Sequence, residues 1–333
     1  MKSSFVKSCV KILGSSLILT AIFFNLDIEA FVAQMKNVDL LWFFTTVVLV
    51  VATMVGGGAR WASMIRLTPL KPNNLDAIGL FFAGTLINQG LPSLVGGDLF
   101  RIMKIKKSLY PLEDSRLAKP SVSFLQKILR SSSSLLQLTT LTLADRGIGL
   151  YSNNLMSLYA LIYLGDFFGT AFFYAAIIIL IIHITPIVLG RFLLFLPLLA
   201  GFHEKILKVL GLVRHPVFQL RHGSIAFFVL VSMLIHLVSA TALYCSFRAF
   251  GVSPPPIALI LGLTLASLLI VVPVSVAGWG LRESTLVAVV GAWQIEVEAI
   301  VAASMMFGLA HIISSLPGLY WLSTSKLHGE KDG

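Results

Sequence analysis

The residues of this chain whose types and spacing could do chemistry are two arginines. Each is set behind a proline and a pair of small residues. The first stretch reads Pro92-Ser93-Leu94-Val95-Gly96-Gly97-Asp98-Leu99-Phe100-Arg101, and the second reads Pro273-Val274-Ser275-Val276-Ala277-Gly278-Trp279-Gly280-Leu281-Arg282. Both fit Pro-x-x-x-[Gly/Ala]-Gly-x-x-x-Arg at the same spacing. A guanidinium offers a planar fork of N–H donors that matches phosphate oxygens two at a time. Glycines let a ligand approach the backbone, and N–H groups at a helix start add affinity for an anion. The chemistry these stretches suggest is the holding of a phosphate-bearing group, with Arg101 and Arg282 reaching it from two sides. Asn88, Pro92, Gly96, Gly97, Asp98, Pro273, Gly278 and Glu283 complete the candidate set.

Each of these residues has a second reading. Asp98 and Arg101 are three apart and share a helix face, so they can pair locally. Arg282 and Glu283 are adjacent and are expected to point in different directions, although pairing to hold a hairpin remains open. Asn88 can bind a headgroup hydroxyl or cap freed backbone groups, and capping is the favoured role. Asp145 and Arg146 stand at the start of an apolar stretch, where an interfacial ion pair is expected. His236 and His311 lie within apolar stretches and suit either a proton relay or a hydrogen bond to a neighbouring helix. Cys9 and Cys245 show no metal-ligand spacing, and the histidines form no metal motif. No nucleotide-binding loop is present. Neither a metal nor a cofactor is expected.

The elements that carry these residues are apolar. Of 333 residues 57% are hydrophobic and 12% are charged, and the mean hydropathy is +0.91. A soluble domain carries about 25% charged residues. The composition therefore predicts an all-α integral membrane protein and excludes a soluble enzyme. Six stretches read as full spans: 10–25, 40–57, 147–165, 167–189, 224–247 and 299–321. Two more, 75–100 and 257–294, are interrupted by Pro and Gly and followed by charge. Backbone groups freed inside a bilayer cost several kcal/mol each when they face lipid, so broken helices belong where protein or water satisfies them. These two segments are expected to be broken or re-entrant hairpins.

The net charge of +10 first reports orientation, since Lys and Arg stay on the cytoplasmic side. The basic N-terminus is placed inside. Asp27, Glu29 and Asp39 mark an outer loop, and Arg60, Arg66 and Lys71 an inner one. Segment 75–100 has basic flanks on both sides and enters from the cytoplasm. A polar, Ser-rich cytoplasmic insert is expected at 108–140. Segment 257–294 enters from outside, and the tail with Lys326 and Lys331 returns inside. Two true crossings in each hairpin would preserve the same orientation. Both termini are thus expected in the cytoplasm of a cell membrane protein. Trp42, Trp61 and Trp321 are expected in interfacial belts. With three spans between the two motifs, the second copy inverts relative to the first. One repeat core is expected at 40–107 and the other at 224–321, an organisation common in transporters.

The motifs resemble a known family. INQGLPSLVGGDLFRIMKIKK at 87–107, ADRGIGL at 144–150 and PVSVAGWGLRE at 273–283 look like successive elements of the membrane region of lysylphosphatidylglycerol synthases. Two departures stand out. The stretch around 119–140 is longer than expected, and the family usually has Gly where Ala277 stands. The resemblance implies a flippase-like fold that moves or accommodates a lipid. A soluble domain makes the aminoacylated lipid in full-length synthases; with the sequence ending at Gly333, that activity is not expected here. Stand-alone relatives are associated with glycolipid, polyprenyl-lipid or hopanoid pathways. The expected function is transport or handling of a phosphate-bearing lipid, with membrane lipids as partners. A membrane partner subunit of a cytoplasmic lipid- or glycan-modifying enzyme is the alternative. An integral membrane transferase is disfavoured because the acids are few and dispersed. Nucleic acid is not an expected partner.

Overall fold

A computed structural model describes residues 2–24, 26–66, 72–90, 96–109, 124–165, 174, 181, 222–270 and 275–324. Among them every regular element is a helix: α1 (Lys2–Phe24), α2 (Ile28–Lys36), α3 (Leu40–Ile65), α4 (Asn74–Gly90), α5 (Gly96–Leu109), α6 (Phe124–Tyr163), α7 (His222–Arg248), α8 (Pro256–Ile270), α9 (Leu281–Val290), α10 (Val297–Ser315) and α11 (Gly318–Ser323). A short 3₁₀ turn, Gly291–Trp293, follows α9.

Three helices among the described residues are long and apolar enough to cross a bilayer: Leu40–Ile65, Gly223–Arg248 and Val297–Ser315. They match the expected spans at 40–57, 224–247 and 299–321. Residues 13–24 and α2 meet at 96°, so the N-terminal span bends where an outer loop was expected. Asp27 sets that bend by capping α2, accepting from the N–H groups of Glu29 at 3.0 Å and Ala30 at 3.1 Å. Asp39 caps α3 in the same way through Leu41 at 2.9 Å. The expected span at 167–189 lies almost wholly outside the described residues. The stretch 124–140, expected within a polar loop, instead opens the 40-residue helix α6. Its Ser-rich run is interrupted by leucines and contains no Gly or Pro, so nothing local breaks the helix.

Both interrupted segments are helical pairs. Residues 91–95, with Pro92, and 271–274, with Pro273, fall outside the described residues. α4 and α5 pack backbone to backbone: a Cβ on Gly97 would stand 2.0 Å from the carbonyl oxygen of Gly84. The second break is built differently. Ala277, Gly278 and Gly280 have φ of 51°, 82° and 87°, and α9 begins only at Leu281. The equally spaced motifs therefore adopt unlike conformations. Gly96 and Gly97 already lie within α5, whereas Ala277 and Gly278 form a left-handed turn ahead of α9.

The core sits where α3 and α7 pack along one another, with α10 beside both. Val50, Met54, Leu243, Phe247, Ile300 and Phe307 are buried together there. The first hairpin packs on α3 and α6, and the second on α6, α7 and α10. α11 closes over α4, where the Trp321 Nε1–H donates to Asp76 Oδ1 at 3.2 Å. At the other end of the chain, α1 leans on the second hairpin through Val276 N–H, which donates to Ser15 Oγ at 2.7 Å.

Candidate functional site

The first hairpin carries a charge cluster drawn from three helices, in which Arg101 and Asp145 are buried and Arg146 is half-exposed. Arg146 on α6 donates to Asp98 on α5 through both Nε (3.0 Å) and Nη2 (2.8 Å). Arg101, one turn on from Asp98, brings its Nη2 to 2.9 Å from Asp98 Oδ1. That contact is an ion contact without hydrogen-bond geometry: Nε and Nη2 of Arg101 are buried and have no hydrogen-bond acceptor. The guanidinium lies instead over the rings of Trp61 at 4.4 Å and Phe81 at 5.0 Å. Their π faces offset part of its desolvation. Arg101 is only 2% exposed.

Arg60 on α3 extends the cluster. Its Nε donates to Asp145 Oδ1 at 2.8 Å and its Nη2 to Asp145 Oδ2 at 3.2 Å. Its Nη1 reaches Ser232 Oγ on α7 at 2.5 Å. Trp61 Nε1–H donates to Thr142 Oγ1 at 3.1 Å. Among the described residues three guanidinium groups thus face two carboxylates. Among the described residues one positive charge is left without a matching anion in the cluster, and the least satisfied guanidinium is that of Arg101.

Arg282 sits in a closed network of opposite character. Its Nη2 and Nε donate to Glu283 Oε1 at 2.7 and 3.1 Å, and its Nε also reaches Ser304 Oγ on α10 at 3.0 Å. Ser304 Oγ–H donates to Glu283 Oε1 at 2.8 Å, and Gly280 N–H donates to Glu283 Oε2 at 2.7 Å. The expectation that Arg282 and Glu283 point apart is corrected here. At the first turn of α9 the carboxylate folds back to cap Gly280, and the long arginine side chain folds back onto it. One charge of each sign is buried and mutually satisfied. Arg101 and Arg282 belong to two separate side-chain networks.

Other candidates fall as follows. Asn88 Oδ1 accepts from Gly97 N–H at 2.9 Å, which caps α5. Asp145 and Arg146 do not pair with each other; each pairs across helices because adjacent helical residues face different neighbours. His236 Nε2 lies 3.0 Å from the Gly149 carbonyl on α6. His311 Nδ1 instead meets its own helix at Phe307 O, 3.0 Å away. No group of metal-ligating side chains occurs among the described residues. Sequence reasoning read Arg60 only as an inner-loop charge, whereas it lies within α3 and pairs with Asp145, and it missed Ser304. It also placed Trp61 at an interface, whereas Trp61 is fully buried beneath Arg101. An arginine within the apolar stretch around GGGARWA was the available signal for the first.

A family model described as the lysylphosphatidylglycerol synthase TM region matches residues 8–318. No curated protein matches the chain.

Proposed function

The chain belongs to the lysylphosphatidylglycerol synthase transmembrane-region family, and from that premise we propose that it moves or accommodates a phosphate-bearing lipid in flippase-like fashion. The observation that carries this reading is the surplus positive charge at Arg101. A buried guanidinium with unsatisfied N–H groups beside a helix break is suited to a phosphodiester, which supplies one negative charge and acceptor oxygens. The closed Arg282–Glu283–Ser304 network serves as the brace that holds the second hairpin.

An inverted repeat fits the packing. Exchanging α3, α4, α5 and α6 for α7, α8, α9 and α10 maps each principal contact among these helices onto another: α3 with α10 becomes α7 with α6, and α4 with α10 becomes α8 with α6. Each hairpin thus leans on the last helix of the other half. This exchange supports two related halves, and the charge distribution supports their opposite orientation and termini in the cytoplasm.

The test is lipid affinity per folded protein. Arg101→Gln should weaken binding of an anionic phospholipid roughly ten- to a hundredfold, the loss of a charge-assisted hydrogen bond of about 1.5–3 kcal/mol. Arg101→Lys should recover part of it. A well-folded Arg101→Gln protein with unchanged affinity would overturn the reading.

A further inference from the structure

We infer that α11 is a lid on the first hairpin: closed, it keeps a ligand from Arg101, and it lifts to admit one. The ligand's identity rests on the proposed function; the lid itself does not.

In this conformation Arg101 has no route to a ligand. The residue is 2% exposed, and its unsatisfied Nε and Nη2 are themselves buried. Something packed on the hairpin has to move before an anion reaches the guanidinium. The helices around it are pinned to one another. α5 is fastened to α6 by Asp98 and Arg146, and α3 to α6 by Arg60 with Asp145 and by Trp61 with Thr142.

α11 is held differently, and it bridges both limbs of the hairpin. On α4, the Trp321 indole lies against the backbone at Gly79, where a Cβ would stand 2.0 Å from the ring. The indole N–H donates to Asp76 Oδ1 at 3.2 Å. A Cβ on Gly318 would stand 2.5 Å from the backbone nitrogen of Ala83. On α5, Lys104, one turn beyond Arg101, donates from Nζ to the carbonyl oxygen of Thr324. Trp321 also packs against the apolar cluster that includes Trp61 and Phe81, the two rings facing the Arg101 guanidinium. α11 therefore closes over the platform on which Arg101 rests.

The same helix is built to move. It has six residues, fewer than two turns, and so has no helical stability of its own. It joins α10 through a turn at Leu316 and Pro317, where proline has no N–H to continue the α10 ladder. Its outward residues Leu316 and Leu319 are 44% and 54% exposed. Small elements of this kind open locally at far less cost than the pinned helices beneath them.

A lid and a brace differ in sign. A ligand that binds only the open form has its apparent affinity reduced by the open fraction, so loosening a lid speeds binding. Loosening a brace slows or weakens it. The experiment follows association of a short-chain fluorescent phosphatidylglycerol with the purified full chain in detergent, read by anisotropy. Trp321→Phe keeps a ring over Gly79 and loses the bond to Asp76. It should raise the association rate about fivefold, the worth of one net hydrogen bond. Gly79→Ala sets a Cβ where the indole lies and leaves α4 a better helix former; it should raise the rate at least as much. A second readout needs no lipid. With Cys9 and Cys245 replaced by alanine, Ala83→Cys places a thiol at a fully buried position beside Gly318. Adding Gly79→Ala should speed its reaction with a maleimide roughly fivefold. Given that Arg101→Gln weakens binding, unchanged or slower association in both monodisperse variants would overturn the lid. So would Ala83→Cys reactivity that Gly79→Ala leaves unchanged. If Arg101→Gln binds as tightly as the wild type, the phosphate reading falls, while faster labelling of Ala83→Cys in the Gly79→Ala chain still supports the lid.

Discussion

Arg146 and Asp98 are joined by two parallel hydrogen bonds, Nε to Oδ2 at 3.0 Å and Nη2 to Oδ1 at 2.8 Å, across 48 residues of sequence. This fork fastens α5 to α6. The same carboxylate faces Arg101, so Asp98 sits between two cations. Asp98→Asn should therefore leave two guanidinium groups without their shared anion and cost about 3–5 kcal/mol of stability. Arg146→Gln should cost less, because Asp98 retains Arg101. Arg146 is half-exposed, so a double-mutant cycle read by thermal denaturation in detergent should give a coupling energy of about 1 kcal/mol between Asp98 and Arg146. Strictly additive effects would contradict the fork.

Arg282 should behave unlike Arg101. Arg282→Gln strands the fully buried Glu283 without its cation, and removing one partner of a buried pair costs about 3–5 kcal/mol. The expected outcome is a loss of monodisperse protein on size-exclusion chromatography. Arg282→Gln combined with Glu283→Gln should recover most of that yield. A well-folded single mutant with impaired lipid binding would instead give Arg282 a direct part in the site.

Ala277 occupies a left-handed conformation, φ 51°, which costs an L residue with a Cβ about 1–2 kcal/mol. Ala277→Gly removes that strain at some entropic cost in the unfolded chain. The net expectation is a gain of up to about 1 kcal/mol, read as a higher melting temperature with lipid binding unchanged. A lower melting temperature would show that the Ala277 methyl contributes packing that outweighs its strain.

The sequence made the broken segments legible because Pro and Gly interrupt apolar runs and charge follows them. It made Asp98 and Arg101 legible as a pair because helical spacing of three is a local rule. The partner choices across helices were not legible. Nothing in the spacing of Asp145 and Arg146 says that one turns to Arg60 on α3 and the other to Asp98 on α5. That depends on how α3, α5 and α6 surround one another. Likewise the shared Pro-to-Arg spacing concealed a difference in backbone: Gly97 is helical, while Gly278 and Gly280 turn through positive φ. Trp61 was read from its type as an interfacial residue, yet burial follows from its position under Arg101 and against Thr142.

Orientation has its own consequence. The packing exchange between the two halves, taken with the charge distribution, predicts that a cysteine introduced near Glu296 reacts with a membrane-impermeant maleimide in intact cells. A cysteine at Lys107 should not react. Labelling at Lys107 from outside would contradict two halves of opposite orientation.

The central claim is that the surplus charge at Arg101 holds a lipid phosphate during movement across the bilayer. The most direct measurement is translocation of a short-chain fluorescent phosphatidylglycerol in proteoliposomes of the purified chain, followed by dithionite quenching and normalised to folded protein. The wild type should move the lipid. Arg101→Gln should slow it roughly ten- to a hundredfold, and Arg101→Lys should restore part of the rate. Equal rates for the wild type and a well-folded Arg101→Gln protein would contradict the account.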